Sequence, residues 1–93
     1  MYEIFIQNSA RHFIKSLSRS EQKEVIDSIE KLKDEPHLGK NLRGDLQGLK
    51  SLRIDTSQSS YRAIYQIREA QLSILVVRVG YRIDVYKNKI GKL

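Results

Sequence analysis

The most apolar stretch of the chain is Leu72-Ser73-Ile74-Leu75-Val76-Val77. It is far shorter than the roughly 20 residues a membrane helix requires, and it reads as a strand inside a core, predicted over residues 72–79, where Gly80 loosens it. A buried strand needs partners. Upstream, Tyr61, Ala63, Tyr65 and Ile67 alternate with Arg62, Ile64 and Gln66, the period of a strand with two distinct faces. Leu49, Leu52 and Ile54 mark another strand before it. The polar segment 56–60 joins these two as a hairpin loop, and Arg68-Glu69-Ala70-Gln71 turns into the last strand. Three strands linked by short turns form an antiparallel meander.

The first third of the chain has a different period. Tyr2, Ile4 and Ile6 suggest a short strand. Asn8-Ser9 then offers a helix cap, and Ala10, Phe13, Ile14 and Leu17 recur at helical spacing. Ser18-Arg19-Ser20-Glu21 fits a capping box, in which Ser18 and Glu21 satisfy each other's free amides. The helix that follows, over residues 19–34, has Val25, Ile26, Ile29 and Leu32 as its apolar stripe. Its outer face carries Glu21, Lys23, Glu24, Asp27, Glu30 and Lys31, a mixture that reads as solvated. Pro36 ends it. The predicted architecture is α+β with the order β-α-α-β-β-β: an antiparallel sheet with a helical hairpin on one face, formed by one domain over residues 1–93. The first strand is expected at an edge or beside the last strand.

Charge is unevenly spread. Residues 1–36 hold six basic and seven acidic side chains, whereas residues 37–93 hold eleven basic and four acidic, out of a total charge of +6. A basic half joined to a balanced half points to a cationic surface facing a polyanion, with plain solubility as the alternative. There is no Cys, and the two His are far apart. No metal centre and no cofactor is expected, and the composition suits a reducing cytoplasm. The N-terminal residues lack the pattern of a signal peptide, and no membrane contact is expected. Phosphate-binding glycine loops, G-x-S-x-G turns and H-E-x-x-H motifs are missing.

The sheet face left free by the helices is where chemistry is expected. Arg53, Arg62 and Arg82 come from three successive segments of the meander. Strands lie about 5 Å apart, so these side chains can meet across roughly 10 Å and grip one or two phosphates. Each could instead be a solvated charge or an ion pair with Asp45, Asp55 or Asp84. Tyr86 can hydrogen-bond or stack on a base, or be an edge aromatic. Tyr81 and Tyr61 could act similarly or support packing. Lys50 has the opposite parity to Arg53, which aims it at the other face unless the strand is bulged. Arg43, Lys87 and Lys89 are further candidates for RNA contact. With carboxylates concentrated in the helical half, a phosphodiester cut here is expected to be metal-free, and such a reaction can use the substrate's own ribose 2′-hydroxyl as nucleophile, oriented for in-line attack.

The strings "LRGDLQGLKSLRID", "SYRAIYQI" and "ILVVRVGYRIDVYKN" resemble the RelE/ParE superfamily, the toxins of type II toxin–antitoxin modules. The matching features are the Leu42-Arg43-Gly44 loop, Leu52-Arg53-Ile54, Tyr61-Arg62-Ala63-Ile64-Tyr65, Val79-Gly80-Tyr81-Arg82 and Val85-Tyr86. The resemblance implies the same order of elements and, in the RelE branch, a ribosome-dependent mRNA endoribonuclease that inhibits translation. It implies that Arg62 holds the scissile phosphate and Arg82 neutralises the leaving 5′ oxygen. Tyr86 would orient the nucleotide, and Arg53 would lie near the 2′-hydroxyl. Two positions depart from the pattern. Ser51 stands where some members have a second Lys, and Tyr81 stands where some have the His of a Gly-His-Arg motif. Two other readings remain: a ParE-like toxin that poisons DNA gyrase by binding, and a basic RNA-binding module without activity. The implied partners are the ribosome and its mRNA. A cognate RelB-like antitoxin, partly acidic, would wrap the toxin in a hetero-oligomer.

Overall fold

The computed structural model describes residues 1–81. Their elements are β1 (Glu3–Ile6), α1 (Asn8–Lys15), α2 (Arg19–Glu30), β2 (Lys40–Asn41), β3 (Lys50–Asp55), β4 (Ser60–Arg68) and β5 (Ser73–Tyr81). A 3-10 turn over Lys31–Lys33 extends α2 towards the Pro36 stop. The strands form one sheet in the order β1-β5-β4-β3-β2. The meander β3-β4-β5 is antiparallel, as its short turns require. The sheet as a whole is mixed and not purely antiparallel, because β1 pairs parallel with β5. The physical reason is the helical pair: it carries the chain back across the sheet, so β1 and β5 run the same way. The element that sequence reasoning left out is β2, two residues that extend the edge of β3.

Both helices cover one face. Ala10 and Ile14 from α1, Val25 and Ile29 from α2, and Leu32 join Leu52, Ile54, Tyr61, Ala63, Tyr65, Ile74, Val76 and Val79 in the main core. Each large aliphatic side chain buried there contributes about 1.5–3 kcal/mol. The period-2 phase of β4 is the predicted one. Leu49 is different: it precedes β3 and joins Leu42, Leu46 and Val77 around Ile64, a second small cluster on the opposite face. A bulge makes this possible. Tyr65 pairs with Val76 but Ile64 pairs with Arg78, so Val77 is the extra residue in β5.

The expected capping box forms only by half. The Glu21 amide donates to Ser18 Oγ at 3.3 Å, but the Glu21 side chain does not turn back to the cap. It is buried, 3% exposed, and accepts a 2.5 Å hydrogen bond from the Tyr61 hydroxyl. Glu21 therefore does not belong to the solvated face predicted for it. Glu24, half-buried at the margin of that face, accepts from the Ser57 amide and hydroxyl in exposed hydrogen bonds and so ties the β3–β4 loop to α2. Tyr61 in turn stacks on Tyr81 with ring centroids 5.3 Å apart, and Phe13 of α1 meets both rings edge-on.

Burial first, then the hydrogen bond to Glu21 and its negative charge, push the Tyr61 hydroxyl up to about 12. The folded protein therefore favours the neutral phenol. That contribution is complete below the ordinary tyrosine value of about 10 and is lost as pH rises through about 12. Tyr61→Phe should cost about 1.5–3 kcal/mol at neutral pH, because it leaves a buried carboxylate without its donor. It should also remove this alkaline leg from a plot of urea midpoint against pH, which measures both effects together.

Candidate functional site

On the face away from the helices, the β3–β4 register sets Arg53 directly opposite Arg62, with Ser51 opposite Ile64. Like charges so placed repel, typically by a few tenths to about 1 kcal/mol. Among the described residues, the carboxylate hydrogen-bonded to this pair is Asp55. Asp55, two residues along β3 and on the same face, accepts from Arg53 Nε at 3.0 and 3.2 Å and from Ser60 Oγ at 2.7 Å. Those two hydrogen bonds, Ser60 first, and the positive charges of Arg53 and Arg62 hold the Asp55 carboxyl below the usual aspartate range. Arg62 makes no ion pair among the described residues. Its Nε is buried and has no hydrogen-bond partner among them either. Arg62's neighbour on β5 is Gly80, which places no side chain beside it.

The two arginines lie along a groove of about 320 Å³. Leu38, Gly39 and Lys40 form one wall, Ser51, Leu52 and Arg53 come from β3, and Arg62 comes from β4. The wall is fixed by Tyr65. Its hydroxyl donates to Pro36 O at 2.8 Å and accepts from the Gly39 amide at 2.9 Å. Gly39 is packed too closely to bear a side chain: a Cβ there would sit 2.8 Å from both Ser51 O and Tyr65 Oη. Burial raises the pKa of Tyr65, which keeps its hydroxyl available as a donor.

The residues singled out from the sequence divide into four groups. Arg53 and Arg62 are cross-strand neighbours and line the same groove. Lys50 and Tyr81 lie on the other face: Lys50 pairs with Tyr65 and reaches Gly39 O at 3.4 Å, and Tyr81 stacks in the aromatic group against α1. The alternation of β3 and the pairing of Tyr81 with Tyr61 account for both. Arg43 is exposed on the loop that Leu42, Leu46 and Leu49 fasten over Ile64, and it does not line the groove. Arg82, Tyr86, Lys87 and Lys89 lie outside the described residues. One cation was missed. Lys40 is exposed, lines the groove and is the cross-strand partner of Ser51. An ammonium group thus enters from β2 at the level where β3 has only a hydroxyl. Among the described residues no group of three or more carboxylate and imidazole side chains could hold a metal ion.

A sheet backed by two helices, with cross-strand arginines lining a groove on its free face, defines a small α+β protein with a cationic groove. The chain belongs to the ParE-like toxins of type II bacterial toxin–antitoxin systems, whose family model matches residues 4–89, and so to the RelE/ParE superfamily. It is 28% identical over 92 residues to the Methanocaldococcus jannaschii protein that carries the toxin name RelE4, covering 96% of this chain and 95% of that one. Among solved structures it is similar to the toxin–antitoxin complex RelBE2 of Mycobacterium tuberculosis, with 29% identity, a TM-score of 0.76, and coverage of 87% of this chain and 98% of that one. The free Escherichia coli toxin RelE, as a double arginine-to-alanine mutant, shares the fold at 18% identity and a TM-score of 0.76, over 99% of this chain and 97% of that one.

Two measurements test the site's geometry. In an NMR titration, Asp55 should show a midpoint below the ordinary value of about 3.9. It should stay ionised as pH falls past that value and protonate only further down, and Arg53→Ala should move the midpoint upward. Gly39→Ala should cost about 1–3 kcal/mol in chemical denaturation, since a backbone carbonyl and an anchored phenol must both shift.

Proposed function

We propose that this toxin acts in the cytoplasm as an endoribonuclease that cuts mRNA on the ribosome and so inhibits translation. The observation that carries this reading is the Arg53–Arg62 pair: two guanidinium groups in register on neighbouring strands, one of them with a buried N–H that has no partner among the described residues. That is the arrangement of donors a phosphodiester requires.

In the reaction, the ribose 2′-oxygen attacks the adjacent phosphorus while the P–O5′ bond breaks. The 2′-hydroxyl proton leaves to a base, and the 5′ oxygen takes up a proton as it departs. The products are a 2′,3′-cyclic phosphate and a 5′-hydroxyl. Arg62 holds the phosphate and stabilises the charge that builds on its equatorial oxygens. Arg53 lies beside it, towards the nucleophile. On the resemblance of their motif, Arg82 neutralises the leaving oxygen and Tyr86 orients the nucleotide. An arginine stays protonated above pH 12 and serves poorly as a general base. Catalysis then rests on charge and position, which suits a substrate presented in fixed geometry by the ribosome.

The partner on this reading is an antitoxin with an acidic segment that folds over the basic half of the chain. The solved relatives include complexes of RelE toxins with their antitoxins, and coupled folding is how such segments bind. A second reading follows from the family description itself, which is ParE-like: a toxin that poisons DNA gyrase by binding.

The test is to add purified toxin to programmed ribosomes and to the same mRNA alone, and to map ends. Cleavage on the ribosome should greatly exceed cleavage of free mRNA; equal rates would defeat the ribosome dependence. Arg62→Ala should slow the cut by about 100- to 1,000-fold without lowering the melting temperature, because Arg62 faces a like charge and an unmet hydrogen bond. DNA breaks with intact transcripts in induced cells would favour gyrase as the target.

A further inference from the structure

The groove has a third cation that the chemistry above does not use. Lys40 stands on β2, one strand beyond Arg53, and lines the same groove as Arg53 and Arg62. The three groups are staggered. Lys40 is level with Ser51, whereas Arg53 and Arg62 are level with each other two residues along β3. Same-face diagonal neighbours of this kind have Cα atoms about 7–8 Å apart, a separation at which long side chains reach two neighbouring anions more readily than one. Lys40 makes no ion pair among the described residues. The same groove is lined by Leu38, a large apolar side chain that is 48% exposed. An exposed leucine held in place on a cationic groove contributes nothing to gripping a free phosphate. It offers a surface to the sugar and base between two phosphates.

From this geometry we infer that the groove binds a dinucleotide step of single-stranded RNA. Arg53 and Arg62 take the scissile phosphate, Lys40 takes a phosphate next to it, and Leu38 lies against the nucleoside that connects them. The inference rests on the nuclease reading and adds to it a second phosphate subsite. Lys40 is a substrate contact remote from the bonds that form and break. Its loss should therefore weaken capture more than it slows the bound complex.

The experiment is the cleavage of mRNA on programmed ribosomes at several salt concentrations, with kcat and KM resolved, for wild type, Lys40→Ala, Lys40→Arg, Leu38→Ser and Arg62→Ala. Lys40→Ala should lower kcat/KM by about tenfold, mostly through KM, and Lys40→Arg should restore it. The dependence of log kcat/KM on log salt should become shallower by about 0.7 in Lys40→Ala, the value for one phosphate contact on a single strand. Leu38→Ser should also raise KM but leave the salt slope unchanged, because it removes no charge. Thermal melts of both variants should match wild type, since both residues are exposed. Wild type that leaves ribosome-bound mRNA intact would overturn the nuclease reading and this inference with it. Cleavage that Arg62→Ala suppresses and Lys40→Ala leaves unaltered in KM and salt slope would overturn this inference alone.

Discussion

Two guanidinium groups held opposite each other on adjacent strands repel, and the rest of the structure has to keep them there. The register of β3 against β4 does so. A slip by one residue would send Arg62 into the helical core and bring Tyr61, Ala63 and Tyr65 to the free face, at the cost of several buried side chains. The hydrophobic pattern of β4 thus enforces a polar juxtaposition that is unfavourable by itself. Local cost held in place by the surrounding core is common at functional sites.

The face packed on the helices also sets the groove's shape. Tyr65 is fully buried on that side, yet its hydroxyl reaches out of the core to hold both ends of the segment from Pro36 to Gly39. That segment carries Leu38 and leads straight into Lys40. Tyr61, four residues before Tyr65 on the same strand, fixes the other end of β4 to α2 through Glu21. Arg62 follows immediately. One strand therefore supplies two phenolic anchors towards the helices and a guanidinium towards the groove, with the direction set at each position by the alternation of the backbone.

Much of this was legible in the sequence because it rests on period. The alternation in β4, the helical spacing of Val25, Ile29 and Leu32, and the Pro36 stop each encode local geometry directly. The Arg53–Arg62 pairing followed once the hairpin was placed. What escaped has no periodic signature. β2 is two residues long, too short to alternate, so Lys40 carries no strand signal. Glu21 satisfied a capping pattern, and that pattern describes the backbone amide without disclosing that the carboxylate has a stronger claim from a tyrosine forty residues away. The parallel pairing of β1 depends on where the helices deliver the chain. The bulge at Val77 is invisible in a run of consecutive apolar residues, since any phase of such a run looks the same.

Asp55 gives the site its balance. It hydrogen-bonds Arg53 and lessens the repulsion on Arg62, and these contacts hold its carboxyl below the usual aspartate range. A phosphate entering the groove must compete with that carboxylate for Arg53, while Arg62 and Lys40 have no such competitor among the described residues. On the proposed reading, free RNA therefore meets a site partly occupied by its own counter-ion. The binding energy needed to displace Asp55 must come from contacts beyond the groove, such as those a ribosome supplies. Specificity for presented mRNA would then arise from an internal ion pair that raises the threshold for binding, with no need for a closed lid or a disordered site.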